Sequence, residues 1–127
     1  MQYTFKCPLP PTLNDQIAEA RGNKYRSAAT KKKWTAKVAE IVKDAPVFEG
    51  KIWIACEWYV KNFARDGDNI MASMKYIMDG LEDAKIVKND NLTIIQSPQL
   101  HSFAKDTADS VVITLSDRRL FEVVWLP

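Results

Sequence analysis

Two turns rich in aspartate carry the side chains of this chain that are best suited to metal chemistry. Asp66 and Asp68 flank a glycine in Arg65-Asp66-Gly67-Asp68-Asn69, here called the acidic turn, and Asp90 lies in the later turn Lys88-Asn89-Asp90-Asn91. Neighbouring carboxylates repel one another unless a cation neutralises them. Hard oxygen ligands with no cysteine or histidine beside them suit Mg²⁺, with Mn²⁺ as a substitute. Asp66, Asp68 and Asp90 are therefore candidate metal ligands.

A helix from about Asp68 to about Ala84 is predicted to position these groups, because Asp or Asn at a helix start accepts hydrogen bonds from the first-turn amides. Helical spacing places its apolar residues on one face: Ile70, Met74, Ile77, Met78 and Leu81. On the opposite side it places Asp68, Lys75 and Asp79. The same pattern fits a solvent-exposed helix start with an ion pair along its edge, so both interpretations stay open.

Basic residues are concentrated in the preceding part of the chain, where no acidic residue interrupts them. They are Arg21, Lys24, Arg26, Lys31, Lys32, Lys33 and Lys37. This local density is typical of a surface that contacts phosphate groups. A lysine-rich helix face exposed to water has the same composition, and the net charge of +2 by itself indicates no partner.

Four segments have the composition of strands. Apolar residues alternate with polar ones over Gln2–Cys7, and β-branched and aromatic residues are frequent over Lys51–Val60. Two more strands are predicted over Leu92–Ala104, with a bend at Ser97-Pro98, and over Ser110–Leu115. These segments predict a mixed sheet of about four strands.

The remaining segments predict one more long helix and one long connection. Ser27 is a suitable cap for a helix that reaches about Asp44 and turns inward Trp34, Val38, Ile41 and Val42. The prolines of Pro8–Asn14 predict a rigid extended loop, and the weakly patterned segment Asp15–Lys24 is predicted to be a loop lying against a ligand. The predicted fold class is α/β (α+β): one small domain with two main helices packed on the sheet.

Composition limits the class of protein. With 127 residues, 46% of them hydrophobic and 27% charged, the chain predicts one globular domain over residues 1–127. No apolar run has the length of a membrane span, and the start lacks the form of a signal peptide, so we expect a cytoplasmic protein that does not bind membranes.

Other residues of chemical interest have ordinary structural explanations. Cys7 and Cys56 lie in strand-like contexts, which predicts buried, reduced thiols. His101 is the only histidine and is expected at a strand edge rather than in catalysis. Within the tail, about residues 117–127, the apolar segment Leu120–Pro127 must pack on the core, join a sheet or meet a partner.

The order of these segments resembles the RusA family of Holliday-junction resolvases, which are small dimeric endonucleases, over nearly the whole chain from Tyr3 to about Ser116. Pro8-Leu9-Pro10-Pro11-Thr12-Leu13-Asn14 is similar to the Pro-x-Pro-Pro-Ser/Thr-x-Asn loop of that family, and Tyr25-Arg26-Ser27 leads into the first helix as in its members. The acidic turn resembles the Asp-x-Asp-Asn motif. Asp79-Gly80-Leu81 is similar to Asp-Ala-Leu, and Asn89-Asp90 stands where the family has Asp-Asp.

The resemblance implies that Asp66, Asp68 and Asp90 are catalytic carboxylates that hold Mg²⁺. It implies that Lys75 is the catalytic lysine, displaced by an insertion of three residues, since Ala72 stands at the usual lysine position. Asn89 in place of an acid is a second departure, and it lowers the negative charge of the site. Two neighbours of the aspartates are expected DNA contacts, together with the basic residues above: Arg65 and Asn69.

The implied activity is magnesium-dependent hydrolysis of DNA phosphodiesters by a homodimer that resolves four-way junctions with paired nicks during recombination and repair. Two alternatives remain. One is a protein of the same fold that binds branched DNA without cutting it. The other is an Asp-x-Asp phosphatase, which the intervening residues Lys61–Arg65 and the short chain disfavour.

Overall fold

The fold is a mixed four-stranded sheet with helices packed against one face. The computed structural model describes residues 1–122, 124 and 126. Its elements, in chain order, are β1 (Gln2–Pro8), α1 (Leu13–Gly22), α2 (Lys24–Ile41), β2 (Trp53–Val60), α3 (Gly67–Met71), α4 (Met74–Asp83), β3 (Leu100–Lys105) and β4 (Ser110–Ser116). The sheet order is β1-β4-β2-β3. β4 is antiparallel to both β1 and β2, whereas β2 and β3 are parallel.

Apolar and polar residues alternate along the strands, and this alternation gives the sheet its buried face. Phe5 of β1 and Cys56 of β2 both pair with Ile113 of β4, and all three are buried. On the opposite face the hydroxyl oxygens of Thr4 and Thr114 lie 3.0 Å apart. The predicted strands Gln2–Cys7, Lys51–Val60 and Ser110–Leu115 are thus confirmed to within a few residues, because one face of each packs in the core.

The two main helices cover this face and contact each other closely. Val38 of α2, Val42 just after its end, and Ile77 and Leu81 of α4 belong to the same buried cluster as the strand residues. At Gly80 of α4, an added Cβ would lie 2.4 Å from Cβ of Val38. The α+β class and the single small sheet with two main helices agree with the prediction.

The predicted loop over Asp15–Lys24 is wrong, because α1 occupies most of it. Asp15 Oδ2 accepts hydrogen bonds from both the backbone N and the hydroxyl of Thr12, each at 3.0 Å, which closes a capping arrangement at the start of α1. No residue of α1 is buried, so the helix has little apolar periodicity. The next helix begins at Lys24 rather than Ser27, because Asn23 Oδ1 accepts hydrogen bonds from the backbone N atoms of Tyr25 and Arg26.

The predicted helix Asp68–Ala84 is divided into α3 and α4. At the division the Ser73 hydroxyl is buried and donates to the carbonyl of Ile70 at 2.8 Å. The Ser73 backbone N donates to the same carbonyl at 3.1 Å, three residues back, which tightens the turn. The apolar face was predicted correctly, since Ile70, Ile77, Met78 and Leu81 are buried.

The predicted strand Leu92–Ala104 is correct only in its second half, where β3 lies. The Asn91 carbonyl accepts hydrogen bonds from the backbone N atoms of Ile94 at 3.1 Å and Ile95 at 2.9 Å, which closes a turn instead of extending the chain. A single bridge between Ile52 and Ile95 is the remnant of pairing there.

The tail is only partly described. Val123, Trp125 and Pro127, which belong to the predicted apolar segment, lie outside the described residues, while Val124 and Leu126 are exposed. None of the helices in residues 1–122 has the length and apolar character needed to cross a membrane.

Candidate catalytic site at the acidic turn

The acidic turn connects the end of β2 to the start of α3. Asp66 has an extended backbone and precedes the first residue of α3, while Asp68 lies in its first turn. The Asp68 carboxylate accepts a hydrogen bond from the backbone N of Asn69 at 2.9 Å. Both aspartates are exposed, so their carboxylates are accessible to a ligand.

A polar cavity of about 470 Å³ brings the two predicted aspartates together. It is lined by Thr12, Leu13, Asn14, Asp15, Ala64, Arg65, Asp66, Asp68 and Asn69. Asn69 Oδ1 accepts a hydrogen bond from the backbone N of Asn14 at 2.9 Å, which joins the start of α1 to the acidic turn. The proline-rich connection, Pro8–Asn14, and the acidic turn therefore form two walls of one site, here called the acidic cavity.

Asp15 is a third carboxylate in the acidic cavity that the sequence analysis did not single out. Its Oδ2 holds the Thr12 backbone and hydroxyl, so this side chain has a structural role at the start of α1. The spacing Thr12-x-x-Asp15, which is typical of a helix cap, is the sequence signal for it.

Asp109, before β4, anchors the segment that leads into the acidic turn. Its Oδ1 accepts a hydrogen bond from the backbone N of Lys61 at 2.9 Å, and its Oδ2 accepts one from Nη1 of Arg65 at 3.1 Å. The Lys61 hydrogen bond lowers the pKa of the Asp109 carboxyl, and the Arg65 guanidinium lowers it further. Arg65, a predicted DNA contact, is thus half-buried in an ion pair. No local pattern in the sequence marks Asp109 as its partner.

Asp90 is exposed in the segment that follows α4. Burial raises the pKa of Glu82 on α4, and the charge and hydrogen bonding of Asp90 raise it further, with a smaller contribution from Asp79. Over residues 1–122, 124 and 126, no group of three or more acidic, histidine or cysteine side chains is close enough to hold one metal ion.

Lys75 lines a second cavity, of about 320 Å³, between α1, α2 and the start of α4. Its neighbours there include Leu13, Ile17, Lys31 and Tyr76. Lys31 Nζ is 3.8 Å from Oδ2 of Asp79, the carboxylate that follows Lys75 by one helical turn. Leu13 lines both this cavity and the acidic cavity, so the two cavities adjoin at the start of α1, and Lys75 lines a different one from Asp66 and Asp68.

The predicted basic surface lies on the exposed sides of α1 and α2. Arg21 is in the last turn of α1, and the other residues of the cluster are on α2: Lys24, Arg26, Lys31, Lys32, Lys33 and Lys37. All are exposed. Arg26, Lys33 and Lys37 recur at helical spacing and share one side of α2. Lys37 Nζ lies 4.7 Å from the ring centroid of Trp34, which holds one of these cations against the helix surface.

The donor set of the acidic cavity fits a hard divalent cation. Mg²⁺ in proteins is commonly held by one or two carboxylates and completed by waters and substrate phosphates, so Asp66 and Asp68 supply the number of charges it needs. Neither thiol nor imidazole lines this cavity. A scan against models of known protein families and a search of curated proteins found no match to this chain.

Proposed function

We propose that this protein is a magnesium-dependent endonuclease that resolves four-way DNA junctions by paired nicks. The observation that carries this proposal is the pair of exposed carboxylates, Asp66 and Asp68, on one open polar cavity that the start of α1 also lines. The basic helix α2 packs against α1. The resemblance of the acidic turn and the proline-rich connection to RusA resolvases supports it, because these two segments are joined by the Asn14–Asn69 hydrogen bond.

The mechanism assigns separate tasks to the residues of this chain. Asp66 and Asp68 would hold the Mg²⁺ ion, and Asp90, which is not grouped with them in the described part of the chain, would have to approach them to act as the predicted third ligand. When bound, the ion supplies Lewis-acid polarisation of a phosphate and lowers the pKa of a water. Lys75 contributes a positive charge toward the phosphate whose charge increases during cleavage. Asp109 and Asn69 keep the acidic turn in place, so that the carboxylates do not have to reorganise.

The basic side of α2 binds the backbone of the DNA in this proposal. Phosphate contacts position a protein on DNA without reading its sequence, which suits an enzyme that selects branched structure. Arg26, Lys33 and Lys37 are exposed together on one side of the helix. Because a junction presents two equivalent strands, a homodimer in the cytoplasm with two-fold symmetry supplies one site for each.

Cleavage of a synthetic four-way junction tests the proposal directly. We expect nicking with Mg²⁺ or Mn²⁺, and a loss of about a hundredfold or more in the Asp66→Asn, Asp68→Asn, Asp90→Asn and Lys75→Ala variants. Asp83→Asn, which removes an exposed carboxylate on α4, is the matched control and should cut normally. Gel shifts without metal should show that all variants still bind the junction.

Near-normal nicking by Asp68→Asn would refute the metal site. A loss that extends to metal-free binding would mean that the substitution disturbs the fold. Normal nicking by Asp90→Asn alone would restrict the metal ligands to the acidic cavity.

A second candidate function is binding of branched DNA without cleavage. It is favoured by one observation: Lys75, the predicted catalytic lysine, lines a different cavity from Asp66 and Asp68. A junction that is bound tightly but left uncut with either metal would support it. The phosphatase alternative gains nothing from the structure, because β2 ends at Val60 and residues 61–65 separate it from Asp66.

A further inference from the structure

We propose that an aromatic cavity beside the acidic turn binds one unstacked nucleobase of the DNA strand whose phosphate lies at Asp66 and Asp68. The cavity has a volume of about 230 Å³ and is lined by Val60, Asn62, Phe63, Arg65, Gly67, Ile70 and Phe103. The inference rests on the proposed function, since a nucleic acid strand presents a base next to each phosphate.

The aromatic cavity and the acidic cavity lie on two sides of the same short backbone segment. Arg65 lines both of them, while Gly67 lines the aromatic cavity and its neighbours Asp66 and Asp68 line the acidic one. A Cβ added at Gly67 would be 3.3 Å from Cζ of Phe103, so the ring of Phe103 lies directly on the glycine. A group bound at Phe103 is therefore one residue of backbone away from the candidate metal ligands.

The two aromatic rings are not absorbed into the core. Phe63 is 54% exposed and Phe103 is 38% exposed, whereas Val60 and Ile70 at the same cavity are buried. Phe103 belongs to β3, an edge strand in which most residues are exposed. Single apolar residues scattered over a surface are common and need no explanation. Two exposed phenylalanines on one cavity instead form an apolar recess that a bound ligand would cover.

The charges around the recess favour a nucleobase over another apolar ligand. Lys105 Nζ lies 5.9 Å from the ring centroid of Phe63, and Arg65 is at the boundary with the acidic cavity. The Lys105 ammonium suits a phosphate beside the base, since Arg65 is already paired with Asp109. The ring faces suit stacking, which contributes strongly to single-strand binding whatever the base. Asn62 Oδ1 accepts a hydrogen bond from Ala64 N at 2.8 Å, which fixes the side-chain amide at the cavity for a polar base edge.

Branched DNA can supply such a base. In a duplex each base is stacked between its neighbours, and extracting one has an energetic cost, which is smallest where pairing and stacking are already interrupted. The crossing point of a four-way junction interrupts stacking. A recess that accepts an unstacked base beside the carboxylates would favour this point over continuous duplex.

Metal-free binding tests the inference without depending on cleavage. Phe63→Leu keeps an apolar side chain but removes the stacking face, whereas Phe63→Tyr keeps the ring. We expect Phe63→Leu to weaken binding of a four-way junction and of a single-stranded oligonucleotide by about fivefold to a hundredfold. We expect Phe63→Tyr to bind as the wild type does. Val47→Ala, at an exposed apolar residue of a different cavity, is the control and should have no effect.

Abasic junctions then identify the occupant. Removing the base at one position beside the cleaved phosphate should weaken wild-type binding as much as Phe63→Leu does, and the two losses should not add. Wild-type DNA affinity that is unchanged by Phe63→Leu would overturn the inference and leave the nuclease proposal standing. Binding that depends on Phe63, without any metal-dependent nicking, would support the inference and contradict the nuclease proposal. A Phe63→Leu protein that loses self-association but keeps DNA affinity would show that the recess binds a protein partner, and this too would overturn the inference.

Discussion

Asp109 anchors the segment that leads into the acidic turn. It accepts hydrogen bonds from the Lys61 backbone and the Arg65 guanidinium, and only 28% of the side chain is exposed. We predict that Asp109→Asn lowers the free energy of unfolding by about 1–2 kcal/mol, because hydrogen bonds to a charged group are lost in a partly screened environment. Asp44→Asn, an exposed aspartate beyond α2, is the matched control in urea unfolding.

The stabilisation that Asp109 contributes is expected to depend on pH. The folded-state pKa of Asp109 is lowered from its ordinary value of 3.8, so its contribution is present above that pH and is lost as the pH falls further. The stability difference between wild type and Asp109→Asn should therefore shrink in acid. A difference that stays constant with pH would contradict the charge-dependent explanation.

His101 provides a second test at the residue scale. Its Nδ1 accepts a hydrogen bond from Nε1 of the buried Trp58 at 2.9 Å, and burial lowers its pKa from the ordinary value of 6.5. The unfolded chain then binds a proton near pH 6.5 that the folded chain does not. We predict that stability declines as the pH falls from about 7 to about 5.5, and that this decline is absent in His101→Gln. Since His101 is the only histidine, an equal decline in the variant would exclude it as the cause.

Single residues also show where sequence reasoning stops. Asp66 and Asp68 could be predicted because their spacing around a glycine is a local pattern. Asp109 and Phe103 could not, because their roles arise from contacts with the acidic turn made by distant segments. Asp90 was expected near the other aspartates from the turn that follows the helix and from the resemblance, and in the described residues it forms no group of three metal-ligating side chains with them.

At the scale of elements, the contact between α2 and α4 requires the absence of a side chain at Gly80. A Cβ there would be 2.4 Å from Cβ of Val38 and 3.2 Å from the Thr35 carbonyl. We predict that Gly80→Ala destabilises the protein by about 1–3 kcal/mol through overpacking. Val38→Gly removes the Cβ that the new methyl group would meet, so the double variant should lose less than the sum of the two single losses. Gly22→Ala is the control, since a Cβ at Gly22 meets no atom within 4 Å. If thermal unfolding shows that the stability losses of the two single variants simply add in the double variant, the predicted overlap between the two positions is contradicted.

The elements that were predicted correctly are those whose periodicity comes from burial. β1, β2, β4 and the inner faces of α2 and α4 have it, because alternate or helically spaced residues reach the core. α1 was missed because none of its residues is buried, although Leu13 and Ile17 are apolar. The division between α3 and α4 was missed because Ala72 and Ser73 are compatible with a continuous helix, and the hydroxyl bond that tightens the turn is visible only in the structure.

At the scale of the whole molecule, we predict a homodimer. Resolving a junction requires two related active sites, and Val124 and Leu126 expose apolar side chains that a second subunit would cover. Light scattering at micromolar concentration should give twice the chain mass of 14.5 kDa. A single species of the chain mass would contradict the prediction, and Leu126→Asp tests whether the tail contributes to the interface.

The pairing of β1 has a consequence for the order in which this protein folds. β1 lies at an edge of the sheet and pairs only with β4, with Gln2 opposite Ser116, so almost the entire chain separates the two partners. Contacts between distant segments are slow to form, because the entropy of closing the loop is lost before the contacts compensate for it. During synthesis β1 must wait without its partner until residues 110–116 have left the ribosome. We therefore expect the Pro8–Thr12 connection, which directly follows β1, to reach its final place only after β1 has paired with β4, and the acidic cavity, which Thr12 lines, to be completed at that stage.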